Sequence, residues 1–250
     1  MPLPMALTFQ SQMDTMILDF KKGVLLGFPC VLASKTMNCL ICNQATKPLN
    51  DTQFDHLYHR CEACGFIYMD PAHHVSFEEE RAEYNTHENS IDDPGYIAYL
   101  ERFLEPAVDP FVQEGRALDF GCGPGPVLAE LLIRRGFDTS VYDLHFYPDQ
   151  KVLDDRYHLI TSTEVFEHFV DPMGEIEKIV GLLEPGGVLA IMTSFPPHDQ
   201  AFLNWRYRRE ATHIAFYTLD SFRVMAEAFG LDVLFTNNKN IVTFRRVSKY

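Results

Sequence analysis

A glycine-rich turn lies between a predicted strand and a predicted helix. Residues 118–125 read LDFGCGPG. The short apolar run Ala117 to Phe120 predicts a buried strand, and Val127 to Arg135 has helical spacing. Glycine has no Cβ atom, so a ligand can approach the backbone of such a turn closely. The sequence therefore predicts a ligand-binding turn at Gly121, Gly123 and Gly125.

Acidic residues on either side of the turn indicate the ligand. A dinucleotide-binding turn would have a third glycine where this chain has Pro126, and a carboxylate at Asp119 would repel a pyrophosphate. S-adenosylmethionine carries an ammonium and a sulfonium group, which favour Asp119. Asp143, 18 positions after Gly125, ends the next predicted strand, where an acidic residue binds ribose hydroxyls in dinucleotide folds. The predicted cofactor-binding set is Asp119, Phe120, Gly121, Cys122, Gly123, Gly125, Asp143 and Leu144.

Two cysteine pairs form a second group with chemical potential. Cys39 and Cys42 are separated from Cys61 and Cys64 by 18 residues. Four thiolates at this spacing are typical of a structural zinc site with no open coordination position. Two disulfides or reduced buried thiols are the alternatives. In the zinc interpretation, each pair forms a knuckle followed by a residue that tolerates positive φ, here Asn43 and Gly65. With four cysteines sufficient for the metal, His56 and His59 are interpreted as surface residues.

The remaining pattern positions these groups in an α/β fold. Helices are predicted at Tyr96–Phe111, Ile176–Leu183 and Ser221–Phe229, strands at Thr139–Asp143, Leu159–Ser162 and Val188–Thr193, and a terminal hairpin at Leu231–Phe235 and Ile241–Val247. Strands that alternate with helices indicate a doubly wound, mostly parallel sheet, whose ligands bind at the carboxyl ends of the strands.

The same pattern divides the chain. Residues 1–36 are expected to be a poorly ordered extension, with an upstream start choice or a weak export signal as alternatives. Residues 37–72 form a zinc-ribbon module, residues 73–95 a linker or lid, and residues 96–250 the cofactor-binding domain. The segment from Tyr84 to Tyr96 is taken as a solvated linker by default.

Several sequence blocks together resemble a known family. Residues 119–125, Asp143, the run EVFEH at 164–168 and the run LEPGG at 183–187 are similar to the class I S-adenosylmethionine-dependent methyltransferases, especially the branch of the ubiquinone-biosynthesis O-methyltransferases. The resemblance implies a Rossmann-like domain with a seven-stranded type of sheet. It also implies that Asp119 and the glycines hold the methionine part of the cofactor and that Asp143 holds the ribose.

The chain departs from this family between Asp143 and Tyr157. Only 13 residues separate the two, too few for the usual helix, third strand and loop. The family's acidic contact to adenine therefore has no clear counterpart, and Asp149 and Asp154 are weak candidates. The aspartate that commonly opens the next strand is also replaced.

A long connection, Phe195 to Thr218, is predicted to cover the substrate. It contains His213, which the family resemblance places over the methyl acceptor as a base or orienting residue. A histidine that packs or caps the loop is the alternative. Glu164 follows the strand at the edge of the cleft and is expected to line the acceptor pocket, so Glu164 and His213 are the predicted catalytic residues. His168 is interpreted as structural.

Charge decides between substrate classes. The chain has 35 acidic and 21 basic side chains, a net charge of −14, and lacks a basic cluster between Cys39 and Cys64. This charge repels a phosphate backbone, so nucleic acid is disfavoured as a partner. We expect a cytoplasmic enzyme without a membrane span that methylates an O or C atom of a small molecule, with S-adenosylmethionine as cofactor and structural Zn²⁺. A methyltransferase of RNA or protein, and a catalytically silent fold used for binding, are the alternatives.

Overall fold

The computed structural model describes residues 37–86 and 89–247. The predictions for residues 1–36 lie outside the described residues. The described residues belong to one compact unit. None of the helices in these two ranges is long and apolar enough to cross a bilayer.

The amino-terminal part is a small antiparallel sheet built around the four cysteines. Its strands are β1 (Thr46–Asp51), β2 (His56–Cys61) and β3 (Ile67–Met69). Thr46 pairs with Cys61 and Asp51 with His56, so the β1–β2 hairpin is in continuous register. The sequence analysis assigned no strands here, because six-residue segments with scattered polar side chains carry weak periodicity.

Two helices occupy the segment expected to be a linker or lid and its continuation. α1 (Phe77–Tyr84) begins with a capping box between Ser76 and Glu79, and α2 (Pro94–Ala107) begins at Asp93, whose side chain accepts from the first turn. At the two ends of the segment interpreted as a solvated linker, Tyr84 and Tyr96 are partly buried, whereas most of the described residues between them are exposed.

The central sheet has six strands, in the order β5-β4-β6-β7-β10-β9. They are β4 (Arg116–Phe120), β5 (Asp138–Tyr142), β6 (Tyr157–Thr163), β7 (Leu183–Met192), β9 (Leu231–Thr236) and β10 (Ile241–Arg246). β4 to β7 are parallel, and β10 pairs antiparallel with β7 and β9. The remaining elements are α3 (Val127–Arg134), α4 (Pro172–Leu182), α5 (Asp199–Phe202), β8 (Ala215–Phe216) and α6 (Leu219–Phe229).

This architecture confirms the predicted α/β fold with a mostly parallel sheet. Within the described residues the sheet has six strands instead of the seven expected for the type, and β5 is its edge. The cause is the short connection after Asp143, which holds a single 3-10 turn, Gln150–Leu153, and no helix or added strand. All parallel strands keep their carboxyl ends on one side, where the predicted ligand turn lies.

Apolar clusters hold the layers together. One face of the sheet is covered by α2 and α3, and the other by α4 and α6. A third cluster joins the small sheet to the loop before β8, through Tyr58, Ile67, Met69, Phe202, Ile214 and Phe216. β8 also pairs antiparallel with β3, where Ile67 is opposite Phe216. The cysteine-containing sheet is therefore continuous with the predicted substrate loop.

Candidate active site

The glycine-rich turn connects β4 to α3 in a conformation that requires its glycines. Gly121 and Gly123 have φ of 80° and 65°, values in the left-handed region that favour glycine. A Cβ atom on Gly121 would lie 2.3 Å from Cγ2 of Val165. The tight turn predicted from the sequence is confirmed.

Asp143 and the glycine turn form one hydrogen-bonded unit. The backbone N–H of Gly123 donates to Oδ2 of Asp143 over 2.9 Å. The other oxygen, Oδ1, accepts from the backbone N–H groups of His145 and Phe146 at 2.8 and 3.0 Å. The two parts of the predicted cofactor site, 20 positions apart, are thus fixed to each other.

Asp119 lies beneath the turn as a buried carboxylate. Its Oδ1 accepts from the hydroxyl of Thr161 over 3.3 Å. Burial raises the pKa of Asp119 to about 7, and the charge of Asp143 adds to the effect. Across residues 37–86 and 89–247, no lysine or arginine forms an ion pair with it. A buried carboxylate of this kind favours a ligand that carries positive charge.

The other three predicted cofactor residues offer different groups to a ligand at the turn. The ring of Phe120 packs on Tyr142 in the core, and Cys122 is buried with its thiol near the carbonyl of Gly123, so these two offer mainly backbone. Leu144 is 60% exposed directly after Asp143 and offers an apolar surface.

Asn89, in a segment that could fold over the cleft but was interpreted by default as a solvated linker, lies against the turn. A Cβ atom on Gly125 would stand 2.2 Å from the backbone oxygen of Asn89, and one on Gly123 would stand 3.5 Å from its Nδ2. The segment before α2 therefore closes one side of the glycine turn. No periodic or spacing signal in the sequence marks this contact, which depends on tertiary packing.

Glu164 projects from the carboxyl end of β6 in a strained conformation. Its φ is 55°, a value uncommon for a residue with a side chain and often found at functional positions. Oε1 accepts from the hydroxyl of Tyr99 on α2 and Oε2 from the hydroxyl of Tyr207, both over 2.8 Å. Tyr99 and Tyr207 were not predicted as site residues. Tyr99 lies at helical spacing, which predicts core, and Tyr207 is one of many polar and aromatic residues in the predicted substrate loop.

Glu167 completes a pair of neighbouring carboxylates. It is fully buried, accepts from the Thr193 hydroxyl over 2.8 Å, and also contacts the hydroxyl of Tyr207. Burial and the neighbouring charge of Glu167 raise the pKa of Glu164 to about 7. The single hydroxyl hydrogen of Tyr207 serves two carboxylates, so the cluster favours an added proton or cation.

His213 lies in the same cluster. Its Nδ1 is 2.7 Å from the carbonyl of Tyr207, and its Nε2 is 3.3 Å from Glu210 and 4.0 Å from Glu167. The structure thus brings the two predicted catalytic residues, Glu164 and His213, to the same group of side chains. A depression of about 330 Å³ adjoins them, lined by Ser194, Trp205, Arg206, Tyr207 and Glu210. A larger one, of about 410 Å³, lies beside the edge strand β5 and contains none of the glycine-turn residues.

The four cysteines converge as the zinc interpretation requires. Sγ of Cys39 is 3.6 Å from that of Cys64, and Sγ of Cys42 is 3.3 Å from that of Cys61. All four sulfurs lie within 4.8 Å of one another. Tetrahedral zinc with bonds of about 2.3 Å places thiolates about 3.8 Å apart. The donor set therefore fits Zn²⁺, and all four cysteines are free thiols, not disulfides, in the structure.

The backbone around the cysteines follows the predicted knuckles. Asn43 and Gly65 have φ of 58° and 75°, as expected for these two positions. The interpretation of His59 as a surface residue is wrong: it is 5% exposed, and its Nε2 is 2.8 Å from Oδ2 of Asp70. Tyr68, its partner across β2 and β3, stacks on the His59 ring with the ring centroids 5.0 Å apart.

Comparison with known proteins identifies the class. A sequence model of the family described as a methyltransferase domain matches residues 93–235, more than half of the chain. The chain belongs to this family of methyltransferase domains.

Individual similarities are more distant. The ubiquinone biosynthesis O-methyltransferases of Psychrobacter arcticus and Psychrobacter cryohalolentis are each 29% identical over 104 residues, covering 31% of this chain. The match spans 40% of the length of these two relatives. Among solved structures, the mitomycin 7-O-methyltransferase MmcR has a TM-score of 0.49 at 15% identity, covering 69% of this chain and 61% of its own. Human N-acetylserotonin methyltransferase has a TM-score of 0.47 at 16% identity, covering 62% and 53%.

Proposed function

We propose that this chain transfers the methyl group of S-adenosylmethionine to an O or C atom of a small molecule. The observation that carries the proposal is the unit made by the glycine turn, the Asp143 carboxylate that binds Gly123, and the buried Asp119 beneath them. Membership of the methyltransferase-domain family supports it. The bound cofactor supplies a methyl group on a positively charged sulfur.

Different residues in and around the turn bind different parts of the cofactor. Asp119 and the turn glycines hold the methionine part, whose ammonium group compensates the buried carboxylate. Asp143 holds the ribose, and Leu144 offers an apolar surface next to it. The backbone of Asn89 closes the turn and excludes water from this side.

The acceptor binds on the other side, in the depression of about 330 Å³ beside Tyr207 and Glu210. Glu164 contacts the Tyr207 side of this depression and His213 the Glu210 side, and His213 orients the acceptor or takes its proton. Methyl transfer is an in-line displacement, so the main task of these side chains is to hold the acceptor atom in line with the methyl group.

Structural zinc at the four cysteines would stabilise the small sheet, which in turn holds the loop that carries His213. β3 pairs with β8, and the hydroxyl of Thr218, at the start of α6, donates to the carbonyl of Cys64 over 2.6 Å. The folded cysteine sheet therefore holds the carboxyl-terminal end of the segment that carries His213 and β8. The net charge of −14 supports a small acceptor over RNA.

Calorimetry with S-adenosylmethionine on the zinc-loaded chain tests the cofactor assignment. We expect saturable binding that Asp119→Asn strongly weakens while the circular dichroism spectrum stays native. An absence of binding in a folded, zinc-loaded sample would refute the proposal.

Transfer is then tested with tritium-labelled cofactor and pools of phenols, sugars and carbon acids. Labelled product that requires Glu164 or His213 supports an enzyme. Cofactor binding with no transfer to small molecules, RNA or protein would identify a silent fold.

A further inference from the structure

We infer that Glu167, His168 and His213 form a binding site for a divalent transition-metal ion, distinct from the four-cysteine site. One carboxylate oxygen and one nitrogen of each imidazole lie within 4.8 Å of one another. Metal bonds from such ligands measure about 2.0–2.2 Å. An inward movement of roughly 1 Å or less for each side chain therefore closes the three around an ion.

Both imidazoles are oriented for ligation. Nδ1 of His168 is 2.9 Å from the carbonyl of Thr212, and Nδ1 of His213 is 2.7 Å from the carbonyl of Tyr207. A carbonyl accepts and never donates, so in each neutral ring the hydrogen is on Nδ1 and the lone pair on Nε2. Histidines that bind metals are held in this way, by a backbone carbonyl or carboxylate on the other nitrogen.

The charge of the cluster also points to a cation. Glu167 is fully buried and shares the hydroxyl of Tyr207 with Glu164. In the part of the chain that the structure describes, neither carboxylate has an ion pair with lysine or arginine. Nε2 of His213 lies 3.3 Å from Oε2 of Glu210 and 4.0 Å from Oε1 of Glu167, so a protonated His213 pairs with these carboxylates and a bound ion replaces that proton. A divalent ion satisfies these carboxylates where burial leaves them without water.

The ligand set restricts the kind of ion and its role. Two imidazoles and a carboxylate suit Zn²⁺, Mn²⁺, Fe²⁺ or Co²⁺ and leave coordination positions open, unlike four thiolates. The depression lined in part by Tyr207 and Glu210 lies next to the cluster, because Tyr207 contacts Glu167 and Glu210 contacts His213. On the proposed function, which this role rests on, an acceptor oxygen would bind the ion there, and the ion lowers the pKa of its hydroxyl group. The hydroxyl proton would pass to the Glu210 carboxylate, which lines the depression, and the oxygen would attack the methyl carbon as the carbon–sulfur bond of the cofactor breaks. His213 then orients the acceptor through the ion.

Mn²⁺ is the most selective probe, because it has the lowest affinity of the first-row divalent ions and does not displace zinc from thiolates. The full chain, zinc-loaded at the cysteines and freed of weakly bound metal, is titrated with Mn²⁺ and followed by electron paramagnetic resonance. We expect about one bound Mn²⁺ per chain, and His168→Gln or His213→Gln to weaken it at least about tenfold. The exposed His198→Gln serves as the matched control and is expected to bind Mn²⁺ as the parent chain does.

Two results would overturn the inference: binding of neither Mn²⁺ nor a second equivalent of Zn²⁺, or binding that both histidine variants leave unchanged. Retained S-adenosylmethionine binding and a native circular dichroism spectrum show that the variants are folded, and Glu210→Gln, at the partly exposed edge, supplies a milder change. The titration contains no cofactor or acceptor. Its failure is therefore distinguishable from a failure of the proposed methyl transfer.

Discussion

Arg208 and Asp51 form a buried ion pair between the predicted substrate loop (residues 195–218) and the small cysteine-containing sheet. Their side chains are 0% and 2% exposed, and 157 positions separate them in the sequence. Other guanidinium hydrogens of Arg208 bind the carbonyls of Phe202 and Leu203. This one side chain therefore links residues of the predicted substrate loop to one another and to the end of β1. The small sheet thus helps to hold the loop that carries His213 in place.

Removing one partner of this pair is expected to be costly. Asp51→Ala leaves a buried guanidinium without its counter-charge, so we expect the free energy of unfolding to fall by about 3–5 kcal/mol in urea denaturation. Lys47→Ala, which removes an exposed pair with Glu62 in the same sheet, is the control and should cost about 0–1 kcal/mol. Similar losses of unfolding free energy in the two variants would show that the buried pair stabilises the fold no more than the exposed pair does.

Loss of zinc from the four cysteines is expected to destabilise the pairing of β3 with β8, at the end of the predicted substrate loop. Cys64→Ser should lower tightly bound zinc from about one ion per chain to none, since all four thiolates are needed to close a structural site. Hydrogen exchange should then increase in β3 and β8, which pair with each other. Cys122→Ser changes a buried thiol in the glycine turn and should keep its zinc. Zinc that survives Cys64→Ser would contradict the assignment of the ligands.

The sequence predicted those parts of the site that consist of local signals. The turn around Gly121 and Gly123, the positive φ of Asn43 and Gly65, and the α/β order all follow from residue type and short spacing. The Asp119, Asp143 and four-cysteine groups could be proposed for the same reason. Each depends on neighbours within a strand, a turn or a helix.

Long-range packing accounts for what the sequence did not predict. The position of Asn89 on Gly125, the burial of His59 and the convergence of Tyr207 with Glu167 each join segments that no periodic pattern relates. The six-stranded sheet was partly foreseeable, because 13 residues between Asp143 and Tyr157 leave no room for a further strand.

Gly125→Ala tests the contact with Asn89. The added Cβ would stand 2.2 Å from a backbone oxygen, so the segment before α2 must move away from the turn. We expect a loss of S-adenosylmethionine affinity of about tenfold or more, which corresponds to about 1.4 kcal/mol, measured by calorimetry. Gly181→Ala in α4 is the matched control, because its Cβ would meet no atom within 4 Å. Unchanged affinity in Gly125→Ala would remove Asn89 from the cofactor site.

The buried Asp119 carboxylate is expected to lower the stability of the ligand-free chain while it favours binding of the cofactor. Its pKa is about 7 in the folded chain against an ordinary value of 3.8, so the folded state binds the proton more tightly than the unfolded state. Stability from this group is fully present below pH of about 3.8 and is lost progressively as pH rises from there to about 7. Asp119→Asn should therefore raise the free energy of unfolding of the ligand-free chain by roughly 1–3 kcal/mol at pH 8, and by less at pH 5. A variant that is less stable than the parent at pH 8 would contradict this account.

The same pKa predicts how cofactor affinity depends on pH. The positively charged cofactor binds the ionised form of Asp119, and protonation below pH of about 7 removes that form. We expect the dissociation constant of S-adenosylmethionine to rise by up to about tenfold for each pH unit below this value, in calorimetry between about pH 5.5 and pH 7.5. Asp119→Asn should bind weakly at every pH in this range, with no such slope. If the parent chain shows a flat profile, the buried carboxylate does not bind the cofactor's positive charge, and the ammonium group must be held elsewhere in the turn.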